Sequence, residues 1–170
     1  MTIVSKLRER DIPLLRSFIL DAWQMAGPSA FGWTGATHET INEIASESYL
    51  RKFLENPELK VFISKIVSTV VGFCAIRKIK DTSIELAGII VRQDRLGKGV
   101  GTSLFDTAKR EAIRTGFKTM LVKTESTNTR AISFYRSKGF VEHEQLTEEV
   151  NGTKLNLTVL TLDLSKNVRV

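Results

Sequence analysis

The feature that most constrains this chain is a glycine-rich turn between a strand pattern and a helix pattern. Ser83 to Val91 is mostly apolar and predicts a strand, and apolar residues then recur at helical spacing to Arg114. The first N–H groups of a helix lack partners within it, and the peptide dipoles place partial positive charge there. Glycines let the backbone approach a ligand closely. The segment therefore predicts an anion site, favouring phosphate, at Leu96-Gly97-Lys98-Gly99-Val100-Gly101.

Two common phosphate-binding patterns do not fit this turn. The dinucleotide fingerprint G-x-G-x-x-G, begun at Gly97, would need a glycine where Thr102 stands. The phosphate loop G-x-x-x-x-G-K-[ST] would need a glycine at Arg92 and a hydroxyl residue at Gly99. Lys98 adds a mobile cation beside the turn. The alternative is a glycine-rich turn that only shapes the connection between strand and helix.

The other patterns predict an α/β fold with a mixed sheet and the order βααβββαβαββ. Because a strand, a helix and a strand follow one another in Ser83 to Lys123, this unit predicts parallel pairing. Gly116 and Gly139 end the helices that precede them. The predicted strands are Thr2 to Leu7, Val61 to Ile66, Val70 to Ile79, Ser83 to Val91, Phe117 to Lys123, Val141 to Val150 and Lys154 to Leu164. Two hairpins are expected, one turning at Ser68-Thr69 and one at Asn151-Gly152.

Four helices are predicted. Asp11 is expected to cap the first, which carries Pro13 in its first turn and ends at Gly27-Pro28. Ala26 to Thr37 then predicts a loop, with Phe31 and Trp33 as its aromatic residues. The remaining helices are one opened by a capping box of Thr40 and Glu43 and running to about Leu54, one from Gly99 to Arg114, and one from Asn128 to Lys138.

Length and composition predict a single globular domain over residues 1–170. Apolar residues make up 42% and charged residues 26%, and no apolar run approaches the roughly 20 residues of a membrane helix. One cysteine, Cys74, and no secretory pattern favour a cytoplasmic protein, and Cys74 with two histidines gives no metal site. The net charge of +6 favours anionic partners, but without a dense basic run nucleic acid is not expected.

A second segment, Asn128 to Phe140, strengthens the interpretation of the turn. It places an asparagine after a strand, Ala131 and Tyr135 four residues apart, and a closing Gly139-Phe140. Together with the G-x-G-x-G turn about 30 residues earlier, it resembles the two signatures of the GNAT N-acetyltransferases. The resemblance covers about Ile84 to Phe140. It departs from the family at Leu96, where arginine or glutamine is usual; Arg95 stands just before it.

The resemblance implies a GNAT-like fold, with a mostly antiparallel sheet of about seven strands and helices on both faces, and acetyl-CoA as acyl donor without a metal. It implies that Tyr135 hydrogen-bonds the leaving sulfur and that Asn128 faces the pantetheine arm. Glu85 is a candidate base, since it is the only acidic residue of its strand and shares side-chain parity with Ile89 and Val91. The implied donor-binding residues are Ile89, Ile90, Val91, Leu96, Gly97, Lys98, Gly99, Val100, Gly101, Thr102, Asn128 and Tyr135.

The acceptor and several residue roles stay open. The expected acceptor is a primary amine of a small molecule such as a polyamine; the alternatives are a protein N-terminus or lysine, or a catalytically silent CoA-binding regulator. Ala26 to Thr37 is the expected acceptor wall. Asn128 could be only a helix cap, Tyr135 only core and Glu85 only a surface carboxylate, whereas Cys74 is expected to be buried and unreactive. The oligomeric state is not readable, and a homodimer is allowed.

Overall fold

A computed structural model describes residues 2–32, 34–150 and 152–167 as a seven-stranded mixed sheet covered by helices on both faces. The strands are β1 (Ile3–Lys6), β2 (Leu59–Ile66), β3 (Thr69–Lys80), β4 (Ser83–Val91), β5 (Thr119–Glu125), β6 (Val141–Val150) and β7 (Thr153–Asp163). The α-helices are α1 (Ile12–Ala26), α2 (His38–Ile44), α3 (Glu47–Glu55), α4 (Val100–Arg114) and α5 (Thr129–Ser137). The expected α/β class and the strand count are confirmed.

The sheet has the order β1-β2-β3-β4-β5-β7-β6, and only β4 and β5 are parallel neighbours. Every other neighbouring pair is antiparallel. The parallel step follows from the chain, because α4 connects β4 to β5 and a crossover through a helix brings the second strand back in the same direction. The predicted parallel unit is therefore confirmed.

Each face of the sheet has its own apolar core. On the face covered by α4 and α5, which we call the α4 face, the core includes Leu104, Phe105 and Tyr135. On the face covered by α1, α2 and α3, which we call the α1 face, it includes Leu15, Phe18 and Leu50. Successive side chains of β2 and β3 point alternately into the two cores, and this is why these strands are apolar on both sides.

The predicted second helix is in fact two helices. Thr37, rather than Thr40, caps α2: its Oγ1 accepts a hydrogen bond from the amide of Thr40 (3.2 Å). The chain then breaks after Ile44, and Ser46 caps α3 by accepting from the amide of Tyr49. The predicted capping box and the continuous helix to Leu54 are therefore wrong, because a serine that can cap a new helix competes with propagation of the old one.

Three smaller features differ, at least in part, from their predictions. Asp11 is the N-cap residue of α1, as predicted, but its side chain makes no capping hydrogen bond. Its buried carboxylate instead accepts from the Arg8 amide (3.1 Å) and the Lys65 ammonium (2.8 Å). The segment after α1 contains a short 3-10 helix (Gly27–Ala30) instead of a loop throughout. The first hairpin turns at Val67, which has a φ of +54°, and Ser68, while Thr69 already belongs to β3. Trp33 and Asn151 lie outside the described residues.

A bulge in β4 changes which side chains share a face. In the pairing with β3, Ala75 lies opposite Gly88 but Ile76 lies opposite Leu86, so β4 has one extra residue at Ala87. Leu86 and, beyond the bulge, Ile89 both pack into the core of the α4 face. The predicted common parity of Glu85 with Ile89 and Val91 is therefore wrong, because the extra residue reverses the alternation. Glu85 lies on the α1 face.

The parallel strands β4 and β5 pair over a short stretch only. Ser83 to Glu85 lie opposite Thr119 to Leu121, and no further pairs follow. Beyond that point the backbone edge of β4 has no β5 partner, although β5 continues its pairing with β7 to Glu125. The two strands therefore separate, and the sheet has an opening between the end of β4 and the end of β5.

Candidate active site

The opening between β4 and β5 belongs to a cleft of about 1090 Å³ that is lined from both faces of the sheet. The α4-face side contains the glycine turn, Asn128 and Tyr135, and the α1-face side contains aromatic residues together with Arg77 and Glu85. The segment Ile89 to Val91 lies along the wall between them. Groups entering from opposite faces of the sheet can therefore meet at the opening.

The glycine turn has the geometry of an anion site. Gly97 (φ +70°) and Gly99 (φ +79°) are left-handed, and Gly99 is the N-cap of α4. The first hydrogen bond into the helix comes from the Ser103 amide to the Gly99 carbonyl (3.0 Å), and no described residue accepts from the amides of Gly97 to Thr102. A Cβ placed on Gly97 or Gly99 would meet nothing within 4 Å. Free amides beside open space fit a diphosphate.

The side chains around the turn differ in what they can contribute. Leu96, Gly97, Gly99, Gly101 and Thr102 line the cleft. Val100 is instead buried in the core, and the Lys98 ammonium donates to the Asp94 carbonyl (3.0 Å). Neither Lys98 nor Val100 is among the residues lining the cleft, so their expected contribution would come from their backbone amides.

Arg95 supplies a cation beside the turn. It lines the cleft, and its buried Nε has no hydrogen-bond partner among the described residues. Its nearest carboxylate oxygen, from Asp94, lies 3.7 Å away. A buried guanidinium nitrogen without a partner is costly unless an anion completes its hydrogen bonding. The environment of Arg95 therefore fits a phosphate-bearing ligand, although its side chain starts one position before the family's usual basic residue.

Helix α5 brings Asn128 and Tyr135 to the same side of the cleft. Asn128 is the N-cap, and its Oδ1 accepts from the Ala131 amide (3.1 Å). Tyr135 is buried among Phe105, Phe134 and Phe140 yet lines the cleft, and no described residue hydrogen-bonds its hydroxyl. Burial, with a smaller contribution from the neighbouring Cys74, raises the pKa of Tyr135 above its ordinary value. The phenol is therefore a hydrogen-bond donor at neutral pH.

Cys74 itself lies in the core. Its side chain is fully buried, and its Sγ donates to the Leu104 carbonyl at 3.6 Å. Burial raises the pKa of the thiol to about 12, so it is protonated at neutral pH and a poor nucleophile. The expected burial of Cys74 is confirmed.

Glu85 lines the cleft on the α1 face, where it pairs with Arg77. The two residues lie directly opposite each other in β4 and β3, and Nε of Arg77 donates to Oε2 of Glu85 (3.1 Å). The carboxylate is mostly buried, whereas the Arg77 side chain is half exposed. Glu85 is thus a cleft carboxylate with a fixed cationic partner. Sequence reasoning named Glu85 but missed Arg77, because their pairing depends on the β3–β4 register.

A second cleft carboxylate, Glu125 at the end of β5, holds the segment that follows the 3-10 helix. Its Oε1 accepts from both the amide (2.9 Å) and the hydroxyl (3.1 Å) of Thr34. The side-chain amide of Asn128 also lies close to this segment, since a Cβ added to Gly32 would lie 2.6 Å from Nδ2 of Asn128. These partners are about 90 residues apart in the chain, so no local pattern indicates them.

The family match agrees with this geometry. Residues 22–140 match the sequence model of the Acetyltransferase (GNAT) family. The chain therefore belongs to this family. The matched region contains the bulged strand, the glycine turn and helix α5. No curated protein sequence shows a significant match to this chain.

Solved structures share the fold at low sequence identity. A ribosomal-protein-alanine N-acetyltransferase from Brucella melitensis is 21% identical, with a TM-score of 0.76, over 95% of this chain and 99% of that one. The PaiA N-acetyltransferase from Thermoplasma acidophilum, solved in complex with coenzyme A, is 18% identical, with a TM-score of 0.72, over 96% and 99%. A spermidine N-acetyltransferase chimera from Vibrio cholerae and hSSAT is 18% identical, with a TM-score of 0.76, over 99% of each chain.

The described residues contain neither a helix suited to cross a bilayer nor a cluster of side chains suited to hold a metal ion. None of their helices combines the length and apolar character needed to cross a bilayer. No cluster of three or more histidine, cysteine or acidic residues among them is arranged to hold a metal ion.

Proposed function

We propose that this protein transfers an acetyl group from acetyl-CoA to a primary amine of a small molecule. The observation that carries the proposal is that the free amides at the start of α4 open on the same cleft as a buried tyrosine without a partner. When bound there, acetyl-CoA would supply an acetyl thioester. The amides from Gly97 to Thr102 and the Arg95 guanidinium would hold its diphosphate, each charge-assisted hydrogen bond contributing about 1.5–3 kcal/mol.

The strand opening would position the rest of the donor. Beyond Glu85 the β4 backbone lacks a β5 partner, so its peptide groups from Ile89 to Val91 can hydrogen-bond an extended ligand as another strand would. Asn128, whose Oδ1 already caps α5, would offer its Nδ2 to the same arm. These contacts would direct the thioester towards the opening, where the α1 face becomes accessible.

The amine must lose a proton before it can attack. For an amine with a pKa near 10.4, the neutral form at pH 7 costs about 4.6 kcal/mol. We assign Glu85 as the base, because it is a cleft carboxylate on the face opposite the glycine turn. Arg77 fixes its Oε2 and leaves Oε1 available to an amine or a bridging water.

Tyr135 would stabilise the leaving sulfur. As the carbon–sulfur bond breaks, negative charge develops on sulfur, and a hydrogen bond from the phenol strengthens with that charge. The raised pKa keeps Tyr135 protonated and available as donor. The hydroxyl is not engaged by any described residue, so no internal bond has to break first.

The experiment has two parts. Thermal unfolding with and without acetyl-CoA should show an increase in Tm, because a ligand that binds only the folded state stabilises it. Acetylation is then measured by release of free thiol across a panel of primary amines and peptides. Binding with turnover of a small amine supports the proposal; binding without turnover on any amine or peptide would favour a silent regulator, and no binding would refute the donor site.

A further inference from the structure

The charges of the cleft indicate what kind of amine it accepts. Three carboxylates line it, and each is engaged: Glu85 by Arg77, Glu125 by Thr34, and Glu148 by the Lys123 ammonium at 2.6 Å. The cations that line it are Arg77, Arg95, Lys123 and Arg130. Arg95 is assigned to the donor diphosphate, so the rest of the described cleft has three cationic and three anionic side chains and offers no net negative charge to a polycation.

The acceptor side of the cleft is apolar. Three residues of the sheet face the α1 side. Phe73 and Ala75 share this face with Arg77, because every second residue of β3 points the same way, and Leu59 of β2 lies directly opposite Arg77. Helix α3 adds Tyr49 and Phe53, whose rings pack edge to face at 5.6 Å. We call six cleft-lining residues on this side the apolar wall: Phe31, Tyr49, Phe53, Leu59, Phe73 and Ala75.

The apolar wall ends at the reacting groups. Arg77 follows Phe73 and Ala75 on the same face of β3, and it carries Glu85 beside it. A ligand with its apolar part on the wall would thus place a polar end at the carboxylate assigned as base. Phe31, Phe53, Leu59 and Phe73 are all only partly buried, which leaves ring and aliphatic surface open to the cleft.

We infer that the acceptor is a primary monoamine with an apolar or aromatic group, such as an arylalkylamine, rather than a polyamine or a peptide. The inference rests on the proposed function and names the substrate class of the same site. The apolar wall would bury the aryl or alkyl group, and Glu85 would take a proton from the ammonium. The neutral nitrogen then attacks the thioester carbon, and the carbon–sulfur bond breaks while Tyr135 hydrogen-bonds the departing sulfur. The nitrogen gives its second proton to the thiolate, so the amide and free coenzyme A thiol are formed, and Glu85 returns its proton to solvent.

The test is a matched substrate series with the intact protein. We expect kcat/KM to rise by about fourfold for each methylene added to a short n-alkylamine, as burial of a CH₂ predicts. We expect kcat/KM for 2-phenylethylamine to exceed that for spermidine by at least about tenfold, since spermidine's extra ammonium groups would lose water against the apolar wall. Preference for spermidine, or for a peptide N-terminus, would overturn the inference while leaving acetyl transfer itself intact.

Two neighbouring residues of α3 give matched variants. Phe53→Ala removes a ring from the apolar wall, whereas Leu54→Ala removes an exposed side chain that does not line the cleft. Phe53→Ala should lower kcat/KM for 2-phenylethylamine by at least about tenfold and leave the affinity for coenzyme A unchanged. Leu54→Ala should change neither. Equal effects of the two substitutions on 2-phenylethylamine would contradict the role of the wall.

Direct binding separates this inference from the proposed function. Isothermal titration of 2-phenylethylamine and of spermidine into protein saturated with coenzyme A measures the acceptor site without turnover. If no amine is acetylated but 2-phenylethylamine binds more tightly and Phe53→Ala weakens it, the substrate class stands and the catalytic proposal fails. If spermidine binds more tightly, the substrate class fails whatever the turnover assay shows.

Discussion

At the residue scale, the chemistry depends on what surrounds each titratable group. Tyr135 is buried among aromatic rings, and burial raises its pKa, while its hydroxyl has no partner among the described residues. Glu85 is on the other face of the sheet beside Arg77. The opening between β4 and β5 would let the proposed hydrogen-bond donor, Tyr135, and the proposed base, Glu85, reach one pair of ligands although they lie on opposite faces of the sheet.

The Tyr135→Phe substitution should lower kcat by about 10²- to 10³-fold, because it removes the hydrogen-bond donor at the leaving sulfur but keeps the ring. The affinity for coenzyme A, measured by isothermal titration, should change little. Steady-state kinetics with saturating acetyl-CoA checks the first expectation. A variant with normal affinity and normal kcat would refute the assigned role, and Tyr135 would then be a core residue only.

Glu85→Gln should remove the acidic limb of the plot of kcat/KM against pH, because the amide cannot accept the ammonium proton. The amide still offers an oxygen to Arg77, so the local hydrogen bonding can persist. The matched control is Glu144→Gln, an exposed position on β6 outside the cleft, which should keep the wild-type profile. An acidic limb that survives in Glu85→Gln would show that another group or a water path takes the proton.

At the scale of elements, the contribution of the start of α4 to ligand binding can be measured separately from its contribution to folding stability. Gly99→Ala introduces a Cβ at φ +79°, which should lower the free energy of unfolding by about 1–2 kcal/mol. It should also weaken coenzyme A binding, because the added methyl occupies the space beside the free amides. Urea unfolding and isothermal titration measure the two effects.

Gly116, just after α4, is the matched control for that experiment. It has a φ of +89° and equally open surroundings, but it does not line the cleft. Gly116→Ala should therefore cost a similar 1–2 kcal/mol, roughly, and leave coenzyme A binding unchanged. Equal losses of affinity in the two variants would mean that strain, rather than occupation of an anion site, explains the result.

The link between β5 and the segment after α1 can be tested through Glu125. Glu125→Ala leaves the amide and hydroxyl of Thr34 without their acceptor and should lower the free energy of unfolding by about 1–3 kcal/mol. Glu125→Gln keeps an oxygen at the same position and should retain most of the stability. Urea unfolding compares the pair. Indistinguishable midpoints would show that the contact contributes nothing to stability.

Sequence reasoning succeeded for elements whose signals are local. The glycine turn and the Asn128 cap depend on a few adjacent residues, and both form as expected. The face of Glu85 was wrong because the bulge at Ala87 arises from pairing between β3 and β4, which periodicity within β4 does not show. The contacts of Arg77 and Glu125 depend on strand register and on residues distant in the chain, so they could not be predicted from a single sequence.

At the scale of the whole molecule, an ion-pair group joins α4 to the sheet. Glu111 accepts from Arg114 on its own helix (2.8 Å) and from Lys60 of β2 (2.7 Å). The hydrogen bond from Arg114, followed by that from Lys60, lowers the pKa of Glu111 to about 2. Because the folded-state pKa lies below the ordinary value, this stabilisation is present above about pH 4.5 and decreases as the pH falls towards 2.

Glu111→Gln should therefore be less stable than the wild type at pH 7, and the difference should shrink as the pH falls from about 4.5 to about 2. Urea unfolding at a series of pH values measures the difference directly. Glu149→Gln on β6, away from this group, should show no comparable trend. A difference that is constant with pH would contradict the assigned pKa and leave packing as the cause.

The short pairing of β4 with β5 has a mechanical consequence. Strand pairing between the two halves of the sheet is limited to Ser83–Glu85 with Thr119–Leu121, next to which the Thr82 carbonyl accepts from the amides of Lys118 and Thr119. This seam should therefore open more readily than the long antiparallel ladders on either side. Amide hydrogen exchange at these residues should be faster than in the centre of β3. A ligand that bridges the seam would slow this exchange, and the protein would become stiffer as its cleft fills.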